Sequence, residues 1–143
     1  MRFVNSTSLY SVLTSPFSTL IFQIKMTYII ILIVSAVAQL FLPWWVIAPI
    51  SFIVAAWKSE SVAGAVAAST GAIVTLWTAY ATYLNISTDG VMLQKIGGMF
   101  AENISILKKL PITGSFFTIM ILIGSTVAGF SATAGYHFRQ LLK

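Results

Sequence analysis

Apolar residues in this chain come in long blocks rather than in alternation. The stretches Met26 to Trp57, Ser61 to Leu84 and Ser115 to Tyr136 contain no Asp, Glu, Lys or Arg. A helix crossing about 30 Å of hydrocarbon needs roughly 20 mostly apolar residues, and in lipid only a helix or a closed barrel satisfies its own backbone. The pattern therefore predicts an all-α polytopic membrane protein. The first block is too long for one span, since at ~1.5 Å per residue a single helix over it would reach roughly 48 Å. Near its middle stands Leu42-Pro43-Trp44-Trp45. Proline disfavours helix in the preceding residue, and Trp collects at membrane interfaces. A tight hairpin is expected, joining a span at about 26–42 to a short second one at 45–57, which Pro49 can kink. The alternative is one long bent helix.

Lys58-Ser59-Glu60 then forms a minimal loop before a third span at 61–84, and Asn85 to Gly90 has turn-forming composition. From Val91 to Leu110, Leu93, Ile96, Phe100, Ile104 and Leu107 share one helical face, with Gln94, Lys95, Glu102, Asn103 and Lys108 largely elsewhere. That is an amphipathic segment at the membrane surface, weakened at Gly97-Gly98. Pro111 ends it, and Thr113-Gly114-Ser115 leads into the last span, 116–136. The expected architecture is four transmembrane helices within a 26–143 domain, plus the amphipathic surface segment. Residues 1–25 are set apart by their serines and threonines and by Leu9, Leu13, Phe17 and Ile21 every fourth position. They read as an amphipathic arm interrupted at Pro16, or as a non-native extension before a start at Met26.

Charge refines the layout. The chain carries eight Lys and Arg against three acids, a net charge of +5. In a soluble protein such a balance suggests nucleic acid; here the bases flank spans and face anionic headgroups, so no nucleic-acid partner is expected. With four crossings, Arg2, Lys25, Lys58, Arg139 and Lys143 fall on one side and Lys95, Lys108 and Lys109 on the other, which favours both termini in the cytoplasm. Two aromatic levels are expected: Phe41, Trp44, Trp45, Trp77, Tyr80, Tyr83, Phe116 and Phe117 at one, and Tyr28, Trp57 and Tyr136 at the other. Trp44, Trp45, Trp57 and Trp77 are the candidate interface anchors.

Small residues are the clearest packing signal. Gly64, Ala68 and Ala72 recur every fourth position in the third span, as do Ala63, Ala67 and Gly71. Gly124, Ala128 and Ala132 do the same in the last span, beside Ser125, Gly129 and Thr133. In lipid no hydrophobic force draws helices together, so close backbone approach must supply the attraction. These faces serve internal packing, or docking of another membrane protein or a second copy. Thr75, Thr78 and Thr82 share one face of the third span. They either line a polar path in an oligomer or bond back to their own helix. Gln39, at membrane depth, is expected to hydrogen-bond to a neighbouring helix.

The chemistry missing from the sequence narrows the function. There is no cysteine, one histidine (His137) and only Glu60, Asp89 and Glu102 as acids, all outside the uncharged blocks. Proton-coupled machinery keeps ionisable groups at depth despite their cost, and none is found there. No serine sits in a nucleophile motif. Catalytic, metal and cofactor sites are therefore not expected. The triplets at Asn5, Asn85 and Asn103 match the glycosylation pattern and are read as incidental.

Leu42-Pro43-Trp44-Trp45 and the run Ile123 to Ala132, with Trp77 and the basic end at Arg139, resemble a group of uncharacterised small bacterial inner-membrane proteins. The resemblance spans roughly residues 26–140 and implies four spans and a bacterial inner membrane; it carries no activity. The expected function is that of a non-catalytic accessory or assembly subunit, docked through its small-residue faces. The alternative is a homo-oligomeric pore or small-solute transporter lined by the three threonines.

Overall fold

The computed structural model describes residues 6–103 and 111–142, and the side chains at positions 6–17, 20, 100 and 101 lie outside that description. The described residues form five α-helices and no strand: α1 (Ser6–Gln39), α2 (Ile47–Lys58), α3 (Val62–Ser87), α4 (Val91–Asn103) and α5 (Ile112–Leu141). A 3-10 turn, Trp44–Val46, leads into α2. Three segments are long and apolar enough to cross a membrane: Ile21–Gln39, Val62–Ser87 and Ile112–Leu141. The protein is a helical integral membrane protein.

Contacts between helices define two ends. At the polar end, the Gln23 amide donates to Glu60 Oε1 at 3.2 Å and Arg139 Nη1 donates to the Ser59 carbonyl at 3.0 Å. The early part of α1, the α2–α3 turn and the tail of α5 therefore meet there. At the aromatic end, Trp77 Nε1 donates to Gln39 Oε1 at 3.3 Å, and the Trp44 ring meets Trp77 edge-on at 6.4 Å. On α3 the two levels, Ser61 and Trp77, are about 24 Å apart at ~1.5 Å per residue. The 3-10 turn and α2, though shorter than the other three apolar segments, run from the aromatic end to the polar end.

Several details differ from the sequence reading, each for a local reason. Backbone helix is continuous from Ser6 to Gln39 and passes through Pro16, so no break marks the expected boundary at 25/26. Pro49 produces no interior kink because α2 begins at Ile47; in the first turn the missing N–H has no intrahelical partner to lose. Thr113-Gly114-Ser115 is already helix: α5 starts directly after Pro111, whose carbonyl accepts from the Ser115 backbone at 2.9 Å. Helix α3 continues past Leu84 to Ser87 before the expected turn, where Asp89 and Gly90 adopt φ of 48° and 78°. Glycine takes that conformation without steric cost, and Gly90 N–H closes on the Asn85 carbonyl at 2.9 Å. Ser61 caps α3, accepting from Gly64 N–H at 3.1 Å.

Helix α4 runs unbroken through Gly97-Gly98, and the rest of the expected amphipathic segment, 104–110, lies outside the described residues. Gly97 is there for proximity. A Cβ on it would sit 2.6 Å from the Ile112 carbonyl oxygen, so α4 lies directly against the start of α5. Leu93 is buried on the same side. The core itself is a seam of α1, α2, α3 and α5, with Ile31, Ile47, Val54, Ala72, Ile73 and Ala128 at its centre.

Candidate functional site

The small residues divide into an inner and an outer set. Ala68, Ala72, Gly124, Ala128 and Ala132 are buried in the α3–α5 seam. A Cβ at Gly124 would stand 3.2 Å from the Trp77 ring, and Gly129 faces Thr70 and Val66 of α3 at 3.6 and 3.7 Å. A Cβ at Gly71 would stand 3.6 Å from the Tyr28 ring of α1, and one at Gly64 would meet Ile24 of the same helix. Gly135, which the sequence reading passed over, presses so closely on the Phe52 backbone of α2 that no Cβ fits. A fourth-residue step from Ala128 and Ala132 would have led close to it. All eight residues expected to form packing or partner faces thus lie against neighbouring helices of the same chain.

The outer set is most continuous on α3. Ala63, Ala67, Thr75, Ala79 and Thr82 are exposed, with Gly71 and Thr78 half-exposed among them. Exposed positions in the 21–39 stretch of α1 are bulky by contrast, Ile29, Ile33 and Val37 among them, while α5 alternates exposed Thr118, Thr126 and Ala134 with Leu122 and Phe130. From Ala63 to Ala79 the outward face of α3 is therefore a shallow trough floored by alanine, glycine and threonine, closed at its far end by exposed Tyr80, Tyr83 and Ile86. Lipid chains gain little on such a floor, whereas another helix can approach it closely.

The three threonines sit along that trough with two of the hydroxyls engaged. Tyr28 Oη donates to Thr75 Oγ1 at 3.0 Å, and Thr82 Oγ1 donates back to the Thr78 carbonyl at 2.7 Å. Five residues past Gln23 on α1, Tyr28 is half-buried against the α3 trough, its hydroxyl at Thr75 and not with Trp57 and Tyr136 at the polar end. Trp44, Trp45 and Trp57 are exposed, and Lys58 Nζ lies 5.2 Å over the Trp57 ring. Trp77 is instead half-buried, held between Gln39 and Trp44.

Two of the cavities among the described residues gather polar groups that the sequence does not bring together. At the aromatic end a cleft of about 250 Å³ is lined by Gln39, Trp44, Trp77, Tyr80, Met92 and Phe116. Indole N–H is donor only, so the Trp77 bond fixes the Gln39 amide with its oxygen toward the ring. Its buried Nε2 finds no partner among the described residues. At the polar end a smaller cavity of about 160 Å³ is lined by Ser59, Glu60, Tyr136, Arg139 and Gln140. The only sequence signal for it was that one short loop, Lys58-Ser59-Glu60, and the basic tail belong to the same membrane side. No group of three or more His, Cys, Asp or Glu forms a metal cluster among the described residues.

No protein-family model, no curated protein and no solved structure matches the chain.

Proposed function

We propose that this is a four-pass protein of a bacterial inner membrane, both termini cytoplasmic, that serves as a non-catalytic accessory subunit of a larger membrane complex. The outward face of α3 is the docking surface, and the contrast between its small floor and the bulky exposed face of α1 carries the reading. The α2 segment counts as the extra crossing because it joins the same two ends as the longer helices. The cytoplasmic side is assigned to the polar end by the surplus of Lys and Arg there. A non-catalytic role is supported by a sequence with no cysteine, one histidine and three acids, none of them within the uncharged blocks.

Replacing Ala63 or Ala67 with Leu fills the trough and leaves the inner seam untouched. A stoichiometric partner in gently purified protein should be lost from both variants while membrane insertion is unchanged. A partner retained in both sinks the docking face. Gly129→Leu is not an equivalent probe, since its side chain would push on Thr70 and Val66 within the fold.

A second reading follows from Thr75 and Thr82 lying exposed on the same trough. Copies of the chain packed around an axis through this face would form a pore or solute path lined by Thr75, Thr78 and Thr82. Replacing the three with Val should then alter flux in liposomes; unchanged flux excludes it.

A further inference from the structure

The polar-end cavity is lined by an acid and a base that are not paired with each other. Glu60 and Arg139 both line it, yet they form no ion pair with each other. Arg139 uses one N–H on the Ser59 carbonyl at 3.0 Å, and Glu60 uses Oε1 on the Gln23 amide at 3.2 Å. A guanidinium has five donors and a carboxylate about four acceptor positions, so both retain most of their capacity. Ser59 lines the same cavity at 4% exposure, and its hydroxyl has no partner among the described residues. A buried hydroxyl left so is costly unless something else meets it.

The frame around these groups is held in place from several directions. Tyr136 Oη donates to the Glu60 carbonyl at 3.3 Å, and Gln140 Nε2 donates to Tyr136 Oη at 3.0 Å. The α2–α3 turn is thereby pinned to the last turns of α5. The volume, about 160 Å³, far exceeds the ~10–15 Å³ one water needs and suits a small headgroup rather than an acyl chain. Trp57 and Lys58, next along the chain, sit where an interfacial pair belongs.

We propose that this cavity binds the headgroup of a zwitterionic phospholipid bearing a primary ammonium. Its phosphodiester is held by Arg139 and the Ser59 hydroxyl, and its ammonium by Glu60. A guanidinium matches phosphate oxygens in a forked geometry. A glycerol headgroup shares the phosphodiester but offers Glu60 only neutral hydroxyls, and a quaternary ammonium has no N–H to donate to it. The inference rests on the membrane placement of the helices and not on the docking of any partner.

The test is native mass spectrometry of the purified full-length protein in detergent, titrated with phosphatidylethanolamine, phosphatidylcholine and phosphatidylglycerol of identical chains. The ethanolamine lipid should bind roughly threefold to tenfold better than either of the others, the range for one charge-assisted hydrogen bond at a partly exposed site. Glu60→Gln should erase that preference, since it keeps the Gln23 contact and the backbone bonds but removes the charge. Arg139→Gln should weaken all three lipids. Because Arg139 also anchors the Ser59 carbonyl, Glu60→Gln carries the test if that variant does not fold. Equal binding of ethanolamine and choline lipids by the unaltered protein overturns the proposal, as does a preference that survives in Glu60→Gln. Displacement by free phosphoethanolamine at lipid-like concentrations overturns the assignment to a lipid.

Discussion

At the scale of single residues, glycines next to each other in sequence serve different ends. A Cβ at Gly97 would strike the Ile112 carbonyl, while one at Gly98 meets nothing within 4 Å. Gly97→Ala should therefore destabilise the protein by about 1–3 kcal/mol, because a backbone carbonyl cannot step aside as a side chain can. Gly98→Ala should raise stability by up to about 1 kcal/mol, alanine being the better helix former. Denaturant unfolding of both variants in one detergent separates the two signs. Gly135→Ala belongs with Gly97, since the Phe52 backbone occupies its Cβ position. The Tyr28–Thr75 hydrogen bond is the polar link between α1 and the α3 trough. A double-mutant cycle of Tyr28→Phe and Thr75→Val should return a coupling of roughly 0.6 kcal/mol, the average for such bonds between membrane helices. A coupling near zero would mean that Thr75 is free to face a solute path.

At the scale of elements, much of the layout was legible because uncharged blocks and turn residues are local signals. The three long apolar helices, the loop at Lys58-Ser59-Glu60 and the turn before Gly90 all lie where the chain's polarity places them. What was not legible depends on neighbours. Pro49 looks like a kink until the start of α2 is known, and Gly97-Gly98 looks like a weak point until α5 is seen lying against it. Trp77 reads as an anchor from composition alone, yet Gln39 and Trp44 draw it inward. Helix α4 is attached to the rest by few groups, chiefly Leu93 and Gly97, while Met99 is 65% exposed. Leu93→Asp should free α4 and speed proteolysis between α3 and α5, because it puts a charge where an apolar side chain packs. Met99→Asp should leave the digestion rate unchanged.

At the scale of the whole molecule, the question is whether the short α2 segment crosses, and the two topologies differ at one place. If α2 crosses, the start of α1, the α2–α3 turn and the tail of α5 share a side, and α4 is opposite. If α2 instead returns to the side it left, the start of α1 and α4 share a side, and the α2–α3 turn is opposite both. Lys58 and Leu142 lie together in either case, so only the position of α1 relative to α4 decides. The Gln23–Glu60 and Trp77–Gln39 bonds join the start of α1 to the start of α3 and the end of α1 to the far part of α3, which suits a crossing α2. The absence of cysteine makes the matter simple to settle. Single variants Ser18→Cys, Gln94→Cys and Leu142→Cys, in sealed membrane vesicles with an impermeant maleimide, report one side each. Ser18→Cys and Leu142→Cys should label from the same face and Gln94→Cys from the other; Ser18→Cys labelling with Gln94→Cys would leave three crossings. The surplus of Lys and Arg at the polar end further predicts that inverted vesicles, not right-side-out ones, expose Ser18→Cys and Leu142→Cys. The reverse would overturn the orientation while leaving the number of crossings intact.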